Sequence, residues 1–147
     1  LSIAATRAIK ALEKKAKKGF FLMIESAIID GYGHNNDSEG MKLEMYDFNN
    51  TLMLMIDYVN NNPGTLLVVT ADHETGGTGI AYNQHEIGKK SKVQLNFSTK
   101  GHTGTVVPVF AYGTGAEYFS GVMKNSDIPK RIELLMKNDR HTRKNKL

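Results

Sequence analysis

Three short, unbroken apolar runs constrain the fold of this 147-residue chain more than any other feature. They are Phe20 to Ile24, Thr65 to Thr70 and Val106 to Tyr112. Each has the length of a strand, and the Val- and Leu-rich TLLVVT run has the pattern of a parallel strand covered on both faces. Helical periodicity lies between them. Leu1, Ala5, Ala8, Ile9, Leu12 and Ala16 recur at helical spacing against Arg7, Lys10, Glu13, Lys14 and Lys17, and Gly19 stands where such a helix should stop. A second helix is marked by Met41, Met45, Phe48, Leu52, Met55, Ile56 and Val59, and the turn Asn60 to Gly64 ends it. Val93, Leu95 and Phe97 alternate like an edge strand, and two short helices, around Ala116–Val122 and Ile128–Met136, close the chain. This order predicts an α/β fold with a mainly parallel sheet layered between helices. Three core strands are few for such a sheet, so the chain is expected to be one part of a larger one.

Composition narrows the function classes. With 40% hydrophobic and 23% charged residues, the chain can build a core and is not globally disordered. No apolar run approaches the roughly 18 residues that would span a membrane, and no signal peptide is visible. The net charge of +4 invites a nucleic-acid reading, but the charge is local. Lys137 to Leu147 hold five Lys and Arg against one Asp, and the charges of the remainder balance. The basic end is therefore read as a solvated tail over 139–147, with no nucleic-acid and no membrane partner expected. The absence of cysteine excludes disulfides and thiolate metal sites. Any metal here must be held by His, Asp and Glu.

Those residues gather where α/β sheets bind ligands, beyond the carboxyl ends of strands. Glu25 ends the first run, with Asp30 and His34 in the loop after it. Asp72 and His73 follow the second run in TADHETGG, and His102 lies in GHTG before the third. The spacing Asp30-x3-His34 puts both on one side of a helical turn or tight loop. Imidazoles and carboxylates without thiolates suit Zn²⁺, and a carboxylate with waters suits Mg²⁺.

The segments GFFLMIESAIIDGYGHNND, TLLVVTADHETGG and GHTGTVVPVFAYGTGAEYFSG, in that order, closely resemble the carboxyl-terminal half of alkaline phosphatases. The resemblance runs to about Ile132, so residues 1–138 are expected to be the carboxyl-terminal part of such a domain. It implies two zinc ions and one magnesium ion. Asp30 and His34 then resemble two ligands of the first zinc and His102 its third. Asp72 and His73 resemble ligands of the second zinc, and Glu25 the magnesium ligand. The family's serine nucleophile, the Asp bridging zinc and magnesium, its magnesium-binding Thr or Ser and its phosphate-clamping Arg are expected upstream of Leu1. None of Ser2, Ser26, Ser38, Ser91, Ser98, Ser120 or Ser126 stands in the nucleophile's context.

The resemblance implies phosphate monoester hydrolysis through a phosphoserine, with the two zinc ions clamping an in-line displacement. It also implies a phosphate monoester substrate, the missing amino-terminal half of the same domain as partner, a possible homodimer, and a periplasmic or extracellular location. Two alternatives share the motifs: a related phosphomutase or sulfatase-like metalloenzyme, and a non-catalytic metal-binding module. Other residues are read more plainly. Met41, Met45, Met53 and Met55 are expected to pack in the core. Thr75 and Thr103 are candidates to orient ligands. Asp47 either does the same or is solvated. His85, His141, Lys89, Lys90 and Lys92 are expected at the surface.

Overall fold

The computed structural model describes residues 1–81 and 93–144, with side chains described to Lys137. His85, Lys89, Lys90 and Lys92, the side chain of His141 and the end of the basic segment lie outside the described residues. The chain divides into two compact units, Leu1–Met55 with His73–Val106, and Ile56–Asp72 with Val107–Leu147.

In the first unit, helix α1 (Ser2–Lys15) follows the expected periodicity and buries Ala5 and Ile9. Gly19 takes up a left-handed conformation (φ +89°) after it. Phe20 to Ile24, expected as a strand, is extended but pairs with no described strand. Its side chains alternate strictly, with Phe21 and Met23 exposed and Phe20, Leu22 and Ile24 half-buried. That period of two is the signature of a strand, and what it lacks is a hydrogen-bonding neighbour among the described residues.

The segment expected as a loop contains a helix, α2 (Ile28–Asn35). Its glycines, Gly31 and Gly33, conceal it from propensity, because glycine disfavours helix interiors by about 1 kcal/mol. Asn36 ends it in the left-handed region (φ 55°), with the Asp37 N–H donating to the Tyr32 carbonyl at 2.9 Å. Helix α3 (Ser38–Asn61) starts at once. The Asp37 carboxylate accepts the Gly40 N–H at 2.9 Å, which satisfies one of the amides that a helix start leaves free. The methionine stripe of α3 divides: Met41 is buried, whereas Met45 and Met53 are exposed. Asp47 is half-buried on α3 and makes no ligand-orienting contact among the described residues.

Three strand pairs occur among the described residues, and all are antiparallel. In the first unit β2 (Glu74–Thr75) pairs with β5 (His102–Thr103), and β3 (Gly79–Ala81) with β4 (Gln94–Asn96). In the second, β1 (Leu66–Thr70) pairs with β6 (Val109–Gly113), from Leu66 opposite Gly113 to Thr70 opposite Val109. The expected parallel pairing therefore does not occur among them. An unbroken apolar run reports burial on two faces but not the direction of its neighbour. Here, moreover, the β1 side chains from Leu66 to Val69 are only half-buried.

A 3₁₀ turn (Ala116–Phe119) replaces the first of the two closing helices, and it buries Phe119. Helix α4 (Asp127–Lys144) carries Pro129 in its first turn, where a missing N–H costs nothing. It runs past the expected 138/139 boundary, so much of the basic segment has a helical backbone.

Gly113 is a residue that β1 and β6 cannot replace. Its φ is +95°, and a Cβ there would stand 2.4 Å from the Thr65 carbonyl oxygen and 2.7 Å from Val59 Cγ1. Thr114 N–H donates to that same carbonyl at 2.9 Å, so the backbone cannot simply retreat. A Gly113→Ala chain is expected to lose about 2–4 kcal/mol of stability, from strain and overpacking together. Urea unfolding of the two chains checks this, and an unchanged midpoint would contradict it.

Candidate metal centre

The first unit brings Asp30, His34 and His102 together, with one ligand atom from each all within 4.8 Å of one another. Helix α2 supplies two of them. Asp30 and His34 are one helical turn apart, so their side chains share a face, and His34 Nε2 lies 3.4 Å from Asp30 Oδ2. Strand β5 brings the third: His102 Nε2 lies 3.7 Å from Asp30 Oδ1 and 3.1 Å from His34 Nε2.

Proton placement follows from the partners. His34 Nδ1 stands 2.6 Å from the Lys100 carbonyl, which can only accept, so Nδ1 carries the hydrogen. The Nε2 lone pair of neutral His34 is thus left facing the carboxylate and His102. His102 Nε2 can therefore donate to His34 Nε2 at 3.1 Å, and two imidazole nitrogens and one carboxylate converging in this way make a donor set that suits a cation.

Thr75, on β2 opposite His102, joins this group to His73. Its hydroxyl donates to Asp30 Oδ1 at 2.5 Å and lies 3.1 Å from His73 Nδ1. The hydroxyl has one hydrogen, and the carboxylate takes it. His73 Nδ1 must then be the donor to Thr75 Oγ1. The hydrogen bond from Thr75 also holds the Asp30 carboxyl below the usual carboxylate range, against the opposing effect of burial and with help from His34, His102 and His73. The His73 ring stacks on His102 with centroids 3.6 Å apart and planes at 21°.

Gly33 makes the approach of α2 to β2 possible. A Cβ there would lie 3.0 Å from Thr75 Cγ2 and 3.2 Å from Met41 Cε, displacing the hydroxyl that orients Asp30. A Thr75→Val chain is expected to bind zinc about tenfold more weakly, while Thr75→Ser stays close to the parent. Competition against a chromophoric chelator measures both, and equal affinities for Val and Ser would contradict the orienting role.

Glu25 stands outside the Asp30–His34–His102 group, exposed at the end of the extended segment. Asp72 belongs to the second unit, where its carbonyl accepts from Asn125 Nδ2 at 3.2 Å. Glu74 is the residue that sequence reasoning passes over. Its carboxylate accepts from the Thr103 hydroxyl and from the backbone N–H groups of Gly77 (3.1 Å) and Thr78 (2.7 Å). The Thr103 hydroxyl first, and those amides after it, hold its carboxyl below the usual range. The available signal was an acidic residue three positions before a glycine whose amide it could cap.

Residues 1–89 and 79–138 match the family model described as alkaline phosphatase. The chain belongs to the alkaline phosphatase family. It is 31% identical to alkaline phosphatase 3 of Bacillus subtilis over 85% of this chain and 41% of that protein. Among solved structures, the alkaline phosphatase from the Antarctic bacterium TAB5 matches with a TM-score of 0.83 and 37% identity, over 93% of this chain and 40% of that one. A histidine variant of the same TAB5 enzyme, solved with Mg bound in a site named M3, matches equally well, again with a TM-score of 0.83. The fold is accordingly α/β, and the chain spans about two-fifths of the length of these relatives. No described helix is long and apolar enough to cross a membrane.

Proposed function

We propose that the chain supplies the metal-ligand part of an alkaline phosphatase that hydrolyses phosphate monoesters. In this reading Asp30, His34 and His102 hold one zinc ion, Asp72 and His73 contribute to a second, and Glu25 contributes to a magnesium ion. The observation that carries the reading is the convergence of Asp30, His34 and His102 within 4.8 Å in a chain of this family. The donor set fits zinc: one carboxylate oxygen and two imidazole nitrogens, with the His34 lone pair already directed by Lys100. When bound, such ions supply Lewis-acid stabilisation of the charge on a phosphoryl group in transfer.

The chain's own residues have the preparatory work. His34 and His73 are held with Nδ1 protonated, so neither must change tautomer before binding a cation. Asp30 is kept ionised by Thr75 while its second oxygen remains open to the cluster. The serine nucleophile, the phosphate-binding arginine and the mainly parallel remainder of the sheet come, in this reading, from the part of the domain that the longer relatives contain. The unpaired segment Phe20–Ile24, with Phe21 and Met23 exposed, supports a complementing strand there. The compartment that accompanies the reading is periplasmic or extracellular.

Metal analysis tests the site directly. After equilibration with buffered Zn²⁺, the chain is expected to retain zinc, and an Asp30→Ala chain to retain at least one ion fewer. Equal zinc content in the two chains would overturn the assignment of Asp30, His34 and His102.

A further inference from the structure

The ligand-bearing strands β2 and β5 pair over only two positions, Glu74 with Thr103 and Thr75 with His102. A ladder this short cannot set its own register, because one slipped residue costs little and turns each side chain to the opposite face. The register here is decisive. It places Thr75 at Asp30, and it places His102 beside Asp30 and His34 with its ring against His73.

Glu74 supplies what the ladder lacks. One carboxylate oxygen accepts both the hydroxyl of Thr103 on the opposite strand and the Gly77 N–H, while the other accepts the Thr78 N–H. The turn so captured is built on two left-handed glycines, Gly76 (φ +85°) and Gly77 (φ +56°). It is anchored to the segment leading into β5, since Gly76 N–H donates to the Gly101 carbonyl at 2.9 Å. The Gly76 carbonyl in turn accepts the Ser98 and Thr99 amides at 2.9 and 3.1 Å. Glu74 is flanked in sequence by His73 and Thr75, and Thr103 follows His102 directly. A single carboxylate therefore ties the backbone of the turn after β2 to the Thr103 side chain on β5.

We propose that Glu74 is a positioning residue of the metal centre, and that its bond to Thr103 locks the strand register that brings His102 to Asp30, His34 and His73. The inference rests on the reading of that cluster as a metal site. Its structural half, the register itself, can be tested without any metal.

Two variants break the clasp from opposite strands, Glu74→Ala and Thr103→Val. Each is expected to weaken Zn²⁺ or Co²⁺ binding about tenfold, as loss of an outer hydrogen-bond partner commonly does. The double variant should lose less than the sum of the two single losses, because both remove the Glu74–Thr103 bond. Thr103→Ser, which keeps the hydroxyl, should restore the parent affinity, and the Co²⁺ absorption bands should shift in the two clasp variants and not in Thr103→Ser. In the metal-free chain, proton NMR should show cross-relaxation between the His73 and His102 rings that weakens in Glu74→Ala. If the parent chain binds neither Zn²⁺ nor Co²⁺, the metal reading fails, and the ring contact still decides the register. Unchanged metal affinity together with an unchanged ring contact in Glu74→Ala would overturn the proposal. So would fully additive losses in the double variant.

Discussion

A His102→Ala chain is expected to bind zinc on the order of 100-fold more weakly than the parent while remaining folded. Removal of one of three converging ligands leaves a helix-borne Asp–His pair, which is a common surface arrangement and holds a cation poorly. The loss extends further, because His102 also supports the ring of His73 at 3.6 Å. Folding should survive, since the His102 side chain is 49% exposed and its truncation leaves no cavity in a core. Isothermal titration with Zn²⁺, with far-ultraviolet circular dichroism as the folding control, measures both parts. A folded His102→Ala chain with parental zinc affinity would remove His102 from the site.

The second large effect concerns turnover. The 147-residue chain alone is expected to hydrolyse p-nitrophenyl phosphate at a rate on the order of 10³-fold or more below that of a chain completed with the remainder of the domain. In the proposed function the described site would hold cations, but covalent catalysis needs a nucleophile placed in line with the leaving group. No serine of this chain stands in the context that the family resemblance requires. Supplying the portion that the relatives contain, in cis or in trans, should raise turnover, and His102→Ala in the completed protein should abolish it. Robust turnover by the chain alone, proportional to protein and lost in His102→Ala, would show that the nucleophile is already present. Persistent inactivity of the completed, metal-loaded protein would count against a phosphatase.

Much of the site was legible because ligand chemistry is written in residue type and short spacing. Asp30 and His34 are one turn apart, and a spacing of four becomes a shared face as soon as the segment is helical. The helix itself was hidden by Gly31 and Gly33. Those glycines lower local propensity, and one of them is needed so that Thr75 can approach. Glu74 was not legible for a different reason. Its three donors are a threonine hydroxyl on another strand and two amides of a glycine turn, and sequence does not announce such a meeting.

The fold shows the same division. The helical repeat of α1 and α3 and the apolar run of β1 emerged with bounds close to those expected, because periodicity and burial are local properties of a chain. Strand direction is not local. The β1–β6 pair is antiparallel, and Phe20–Ile24 alternates like a strand without a described partner, because pairing depends on which distant backbone offers its hydrogen bonds.

By itself, then, the sequence determined the chemistry available to this protein: a cysteine-free set of imidazoles and carboxylates, grouped in three motifs of the alkaline phosphatase family. Only the tertiary structure decided which of them meet. Asp30, His34 and His102 converge because α2 lies close against β2 through Gly33 and because β5 is held in register opposite Thr75. Which nitrogen of His34 and of His73 carries the hydrogen was likewise a tertiary matter. The Lys100 carbonyl and the Thr75 hydroxyl set it, and both come from segments distant in sequence from at least one residue they orient.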